Sequence, residues 1–194
     1  GGVKSGNGSK TFGTGGSDGT GAPIASDFVG TDPGPGQRTG LLALEEVDEV
    51  AILAAPGVTD AGVQLALIEQ CERLMDRFAV LDPVPGTAGL PATLTQVTNQ
   101  RDLFDTKYAA LYYPRVLVAD DLTGAAKTIG PSGHICGVYA RTDNTRGVHK
   151  APANEVVSGV TGFEAVISKG QQEILNPIHI NVLRDLRTQH RGLR

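Results

Sequence analysis

The stretch VAILAAPGVTDAGVQLALIEQCERLMDRFAVL, residues 50–81, decides the fold. It begins with an apolar run that stops at Pro56-Gly57 and closes with a second apolar run, residues 78–81. Bounded apolar runs without alternation are typical of strands covered on both faces, as in a parallel sheet. Between them Asp60 is placed to cap a helix. Apolar residues then recur at helical spacing, namely Val63, Leu67, Cys71, Leu74, Met75 and Phe78, with Leu65 and Ile68 widening the stripe. The stretch predicts a βαβ unit with a right-handed crossover.

Further elements are predicted on both sides of this unit. Residues 41–49 form a short acidic helical turn, residues 83–95 a Pro/Gly/Thr-rich loop and residues 96–107 a helix. Two apolar pieces, residues 109–113 and 115–119, are broken by Pro114, which indicates a strand with an interruption or an edge there.

The last third of the chain adds two helices and a strand. Pro131 suits the first turn of a helix whose inner face carries Ile135, Val138 and Tyr139. Ser168 caps a short helix that runs to Leu175 and is ended by Asn176-Pro177. Residues 178–183 form a last strand. The predicted fold class is α/β, a mixed sheet with the βαβ core flanked by helices.

Glycine is concentrated at the start of the chain, where 13 of the 26 glycines fall in the first 40 residues. This composition predicts a Gly-rich N-terminal segment of turns and short extended pieces. Neither G-x-x-x-x-G-K-[ST] nor G-x-G-x-x-G after a strand occurs, which argues against a phosphate-binding loop. We therefore divide the chain into the N-terminal segment 1–40, an α/β core 41–130 and a C-terminal part 131–194.

Composition narrows the class of protein. The 194 residues are 40% hydrophobic and 20% charged, as in an ordinary globular protein. No apolar run is long enough to span a membrane, and a net charge of −4 without a basic stripe makes nucleic acid an unexpected partner. Cys71 and Cys136 lack metal-site spacing and are expected to be small buried hydrophobes.

Charge is distributed unevenly along the sequence. Eight acids and one base, Arg38, lie between Asp18 and Asp60, whereas Arg184, Arg187, Arg191 and Arg194 stand against the single Asp185. These are either two solvated faces or surfaces that attract a neighbouring copy.

Candidate chemistry is sparse. The histidines His134, His149, His179 and His190 lack zinc-site spacing, and Ser132 between Pro131 and Gly133 resembles a helix start more than a nucleophile elbow. Asp82 and Asp120 end apolar strands, where α/β enzymes place functional carboxylates and where turns also begin. One alternative is therefore an α/β enzyme or nucleotide-binding domain with a site near Gly57, Asp82 and Asp120. We assign no catalytic, cofactor-binding or metal-binding residue and expect no enzyme activity.

The densest polar segment is residues 141–155, where both signs of charge lie close together with Gly, Pro and Asn. Such residues can organise a turn through charge-assisted hydrogen bonds, or they can lie at a subunit contact. A third alternative is a monomeric binding module that uses this loop. The candidate residues are Arg141, Asp143, Arg146, Lys150, Asn154 and Glu155.

Several motifs resemble the sheath protein of contractile phage tails and related injection systems. The strongest are PSGHICGVYARTD (131–143) and RGVHKAPANE (146–155). Shorter matches in the same order are GGSDG (15–19), APG (55–57), DRFAVLD (76–82), AALYYP (109–114) and LNP (175–177) with Ile180-Asn181. Members of this family usually continue past Arg194 and before residue 1, so the chain resembles the middle of a sheath subunit with a truncated C-terminal domain.

The resemblance implies a structural protein. Sheath subunits stack in helical rings around an inner tube and contract to drive the tube through a target envelope. Expected partners are other copies of the chain, the inner tube protein, and baseplate and tail-terminator components. The expected location is a virion tail or an extracellular contractile particle assembled in the bacterial cytoplasm. Work would then come from two alternative subunit packings, without a cofactor or a reaction.

Overall fold

The computed structural model describes residues 21–186. The predicted turn at residues 15–19, His190 and the arginines at 187, 191 and 194 lie outside this range. The helices are α1 Ala25–Val29, α2 Ala61–Leu74, α3 Leu94–Arg101, α4 Ser132–Arg146 and α5 Lys169–Leu175, with 3-10 helices at Gly40–Glu46 and Asn176–Ile178. The strands are β1 Ile52–Ala54, β2 Phe78–Leu81, β3 Ala109–Tyr113, β4 Val116–Ala119, β5 Ala126–Ile129, β6 Gly162–Phe163 and β7 Ile180–Val182.

The strands form two sheets. The larger sheet has the order β1-β2-β3-β7 with all pairs parallel, and Leu53 lies opposite Ala79 in its register. The smaller sheet has the order β5-β4-β6 with antiparallel pairs. The α/β class and the combination of parallel and antiparallel pairing are confirmed, and the two kinds of pairing are divided between the sheets.

Helices cover both faces of the parallel sheet. Successive residues of a strand point to opposite faces, so neighbouring residues pack in different cores. Ala79 packs in one core with Leu67 and Cys71 of α2, Val97 of α3 and Leu175 of α5. Its neighbour Val80 packs in a second core with Ile135 and Val138 of α4. The predicted inner face of α4 and the prediction that the strands are covered on both sides are confirmed.

Helix α2 begins as predicted and ends at Leu74, before the last two residues of the predicted apolar stripe, Met75 and Phe78. Asp60 Oδ1 accepts a hydrogen bond from the Val63 N–H at 3.1 Å and caps α2. Met75 adopts a left-handed conformation (φ 58°), ends the helix and is 70% exposed. Leu65 is also exposed and Phe78 belongs to β2, so placing Met75, Leu65 and Phe78 on the packed stripe of the helix is wrong. The left-handed turn rotates Met75 away from the helix face that carries Val63 and Leu67.

Pro114 has a role that the sequence does not reveal. The chain passes at this residue, through a cis Tyr113–Pro114 peptide, from β3 of the parallel sheet to β4 of the antiparallel sheet. The two apolar pieces are thus separate strands of different sheets, and a single interrupted strand is the wrong description. Proline cannot donate a ladder hydrogen bond, which suits a point where one sheet is left and another begins.

Helix boundaries differ from the predictions where capping residues determine them. Thr93 and Gln96 form a capping box, so α3 starts at Leu94, inside the predicted loop, and ends at Arg101. Ser168 caps α5 as predicted, its Oγ accepting from the Gln171 N–H at 3.2 Å. In the N-terminal segment, residues 21–40 include the short helix α1 besides turns.

The 3-10 helix Gly40–Glu46 corresponds to the predicted acidic turn and is held against α2 by side chains. The amide of Gln70 donates to the Leu41 carbonyl at 3.1 Å, and the buried Arg77 guanidinium donates to the Leu44 carbonyl at 2.7 Å. Arg73 forms a bidentate ion pair with Glu45.

The proposed division of the chain at residues 40 and 130 stays a prediction. Strand β7, from the proposed C-terminal part, pairs with β3, from the proposed core.

Candidate functional site

The carboxyl ends of the parallel strands bring together two of the three residues predicted for an enzyme site. Asp82 follows β2 and Gly57 follows β1, and the Gly57 N–H donates to Asp82 Oδ2 at 2.7 Å. The Ser132 N–H, at the start of α4, donates to Asp82 Oδ1 at 2.7 Å. Because Asp82 is only 2% exposed, its carboxylate is enclosed as well as bonded. It joins a β1–α2 turn, the end of β2 and the first turn of α4.

Two buried glutamines complete this arrangement, which we call the Asp82 hub. Gln64 of α2 and Gln100 of α3 both donate to the Asp82 backbone carbonyl, at 2.8 and 2.9 Å, and Gln100 also donates to Gln64 Oε1 at 2.9 Å. The sequence analysis did not identify these residues. A signal existed, since Gln64 precedes Leu67 by three positions and therefore lies on the buried stripe of α2.

Asp120 lies elsewhere. It follows β4 of the smaller sheet, and its Oδ1 accepts from the N–H groups of Leu122 and Thr123 at 2.9 and 3.0 Å. These backbone hydrogen bonds lower the pKa of its carboxyl. Asp120 thus orders the β4–β5 turn, the structural alternative that strand-end aspartates also offer. Gly57, Asp82 and Asp120 do not form one constellation.

A cleft of about 450 Å³ opens beside the hub, and Asp82 is not among its lining residues. Its walls include Pro56, Gly57, Arg115 and His134. Ser132 is the first residue of α4, as predicted for a helix start. It is completely buried, whereas a hydroxyl that attacks a substrate has to be accessible. Within residues 21–186, no group of three or more His, Cys, Asp or Glu side chains could hold a metal ion, and no helix is long and apolar enough to cross a membrane.

Both cysteines are free. Cys71 of α2 is fully buried in the core that contains Ala79, and burial raises the pKa of its thiol to about 11. Burial also raises the pKa of the partly exposed Cys136 thiol. A raised thiol pKa lowers the thiolate fraction and with it the reactivity, as expected for cysteines that serve as small hydrophobes.

The mixed-charge segment 141–155 is not a single loop. Helix α4 continues through Arg146, so Arg141, Asp143 and Arg146 lie on its last two turns, and only residues 147–155 are non-helical. The description of residues 141–155 as one loop is therefore wrong. Residues 141–146 contain no glycine or proline, and the helix ends at Gly147 (φ 88°).

Within this segment one group of candidates shapes the loop. Arg141 donates to the Val156 carbonyl at 2.5 Å and to Ser158 Oγ at 3.2 Å, and it lies 4.0 Å from Glu155. Asn154 takes a left-handed conformation (φ 59°), which asparagine tolerates better than most residues. These side chains hold residues 154–158 against the end of α4.

The other candidates point outward. Asp143 and Arg146 are exposed, and neither side chain has a bonding partner in the described part of the chain. The Lys150 ammonium donates to the adjacent Ala151 carbonyl at 2.9 Å. Val148 between them is 86% exposed. The structure therefore brings Arg141 and Glu155 together, leaves Arg146 exposed and places Lys150 half-buried at the surface.

Comparison with known proteins identifies the class. The family described as "Phage tail sheath protein central domain" matches residues 34–189. The chain belongs to the phage tail sheath family, and the resemblance indicated by the sequence motifs is confirmed.

Particular relatives agree with this assignment. The chain is 30% identical to the tail sheath protein of Escherichia phage P2, over 80% of this chain and 41% of that protein. It is 28% identical to the tail sheath protein of Burkholderia phage BcepMu, over 74% and 32%. The chain thus spans less than half the length of the curated relatives it matches.

Solved structures give the same result. A chain of the anti-feeding prophage baseplate is similar with a TM-score of 0.60 and 33% identity, over 77% of this chain and 37% of that chain. A chain of the PVC sheath complex, an extracellular contractile injection system in its contracted state, is similar with a TM-score of 0.60 and 30% identity, over 76% and 40%.

Proposed function

We propose that this chain is part of a contractile tail sheath subunit, which assembles with copies of itself in helical rings around an inner tube. Contraction of these rings would drive the tube through a target envelope. The observation that carries the proposal is the family match over residues 34–189. Likeness to a chain of the anti-feeding prophage helical sheath in its contracted state, with a TM-score of 0.56 and 33% identity, supports it.

The same relatives support the wider setting of the proposal. The protein works in a virion tail or an extracellular contractile particle that is assembled in the bacterial cytoplasm. Its partners are further copies of itself, the inner tube protein, and baseplate and tail-terminator components. A mechanical role needs two alternative packings of subunits and no reacting group.

A non-enzymatic role is supported by the way the strand-end carboxylate is used. In α/β enzymes a functional carboxylate at this position faces a crevice. Asp82 instead accepts hydrogen bonds on both oxygens from Gly57 and Ser132 and is buried. It holds three elements together, which favours the structural interpretation over an enzyme or nucleotide-binding domain.

We further propose that the outward-pointing members of segment 141–155, Asp143, Arg146 and Lys150, lie at a contact between subunits. Arg141, Asn154 and Glu155 would shape the loop that presents them. Support comes from their arrangement, since Arg141 and Glu155 interact within the chain whereas Arg146 is exposed.

Electron microscopy of the full-length protein at high concentration tests the proposed function. We expect rods or tubes with a helical repeat. Monodisperse particles under every assembly condition would contradict the proposal. A rise of several degrees in melting temperature on addition of ATP or NAD would also contradict it, if that rise is lost in a Gly133→Trp variant whose side chain fills the cleft.

A further inference from the structure

The described surface carries two patches of opposite charge, one with a single exposed apolar residue and the other with three. One is the basic end of α4, defined as Arg146, Val148 and Lys150. The other, which we call the acidic corner, is defined as Leu44, Val47, Asp48, Glu49 and Met75. Contiguous exposed apolar patches that are rimmed by polar residues are typical of protein–protein contacts.

The acidic corner is held in shape by Arg77. This buried guanidinium donates to the Leu44 carbonyl at 2.7 Å and to the Val47 carbonyl at 3.4 Å, and Phe78 N–H donates to the Ala51 carbonyl at 2.9 Å. The turn after the 3-10 helix therefore lies beside the end of α2, where Met75 is 70% exposed. Asp48 and Glu49 are exposed on this turn and have no bonding partner within residues 21–186.

Charge differs sharply between the two patches. Residues 32–77 contain nine acids and three bases, whereas residues 146–150 contain Arg146 and Lys150 and no acid. The negative end of the α4 dipole is offset by Arg146 in its last turn. Opposite potentials on two surfaces steer association and fix its register.

The patches lie on opposite sides of the parallel sheet. The 3-10 helix and α2 pack through Leu41 and Leu67 in the core that contains Ala79, whereas α4 packs through Ile135 in the core that contains Val80. In a dimer with a two-fold axis, each patch of one copy would have to contact the opposite patch of the other copy within one interface. Two patches on opposite sides of the sheet cannot both lie in one such interface. Contact between them is heterologous, and such contacts generate rings or open helices.

We propose that the basic end of α4 of one copy docks on the acidic corner of a second copy. Val148 meets the exposed apolar residues Leu44, Val47 and Met75, while Arg146 and Lys150 pair with Asp48 and Glu49. This inference rests on the proposed self-assembly and names the two surfaces that form one of its contacts.

Charge exchange in the full-length protein tests the docking. One variant carries Arg146→Glu and Lys150→Glu, a second carries Asp48→Lys and Glu49→Lys, and a third combines all four changes. Lys127→Glu with Lys169→Glu is the matched control, since both lysines are exposed outside the two patches and the charge change is the same as in the first variant. The readouts are the protein concentration at which polymers form, by sedimentation and electron microscopy, and circular dichroism to confirm folding.

We expect each two-residue reversal at a patch to raise the concentration needed for assembly about tenfold or more, because attraction becomes repulsion. The four-residue variant should return to within a few-fold of the unmodified protein, and the control should not change it. Two results overturn the docking while leaving the sheath function in place. Either neither two-residue reversal changes the concentration needed for assembly, or both raise it and the four-residue variant does not restore it. Failure of the unmodified protein to assemble would instead overturn the proposed function.

Discussion

The Asp82 hub makes a quantitative prediction about stability. Asp82→Ala removes the acceptors of two N–H groups, that of Ser132 in the interior and that of Gly57 at an exposed residue. Hydrogen bonds to a charged group contribute about 1.5–3 kcal/mol each, and removal of a buried carboxylate recovers part of its desolvation cost. We expect a loss of about 3–5 kcal/mol, a large fraction of the 5–15 kcal/mol typical of a domain. Asp82→Asn keeps one acceptor oxygen and should lose roughly half as much.

The matched control is Asp120→Ala. Asp120 also accepts two backbone N–H groups, but it does so in an exposed turn where water can replace the carboxylate. Urea unfolding followed by circular dichroism at pH 7 gives the midpoint and slope for all three variants. A large drop in midpoint for Asp82→Ala at unchanged slope supports the hub. Equal midpoints for Asp82→Ala and Asp120→Ala would refute the reasoning.

Two further predictions concern packing and acid stability. Gly130→Ala should destabilise the fold by about 1–3 kcal/mol, because the added Cβ would overlap the Asp82 carboxylate. Gly137→Ala in α4, with no atom within 4 Å of the added Cβ, should stabilise it by about 0.5–1 kcal/mol, and urea midpoints distinguish the two. The hydrogen bond from Arg73 lowers the pKa of the Glu45 carboxyl, so its stabilising contribution is present at neutral pH and is lost as the pH falls below the ordinary glutamate range. Because the Arg73 side chain is half exposed, Glu45→Gln should cost less than about 1 kcal/mol at pH 7 and nothing near pH 2. The control is Glu72→Gln, an exposed glutamate of the same helix as Arg73 outside this ion pair, which should change stability at neither pH. An equal cost of Glu45→Gln at both pH values would contradict the ion-pair explanation.

Local sequence signals predicted the elements that local physics determines. The two apolar runs gave β1 and β2, and side-chain caps gave the starts of α2 and α5 at Asp60 and Ser168. The apolar periodicity of α2 failed at Met75, because a left-handed residue leaves the helical spacing and periodicity carries no information about backbone φ. The transfer between sheets at Pro114 depends on which strands pair, and pairing is a non-local property.

The hub shows why a candidate site was harder to predict than the fold. Asp82 was identified as a strand-end carboxylate, but its role depends on Gly57, which lies 25 residues away, and Ser132, which lies 50 residues away. Only the three-dimensional arrangement distinguishes a carboxylate that faces a crevice from one whose two oxygens are already occupied. The same limit applies to the proposed docking of Arg146 and Lys150, since a residue that pairs with another copy would lack its partner within its own chain.

The proposed docking also agrees with what a contractile lattice requires of its contacts. An exposed ion pair contributes about 0–1 kcal/mol, so the pairs of Arg146 and Lys150 with Asp48 and Glu49 would be weak in any one contact. Repetition along a helix of subunits makes the sum large, because each subunit already placed raises the effective concentration of the next contact. Contacts that are individually weak can exchange one by one as subunits move between two packings, whereas a tight, fully buried interface would hold the lattice in one state. On this view the exposure of the two patches is a functional requirement, and filling the contact with larger apolar residues (Val148→Phe with Asp48→Leu) should favour assembly at the expense of contraction.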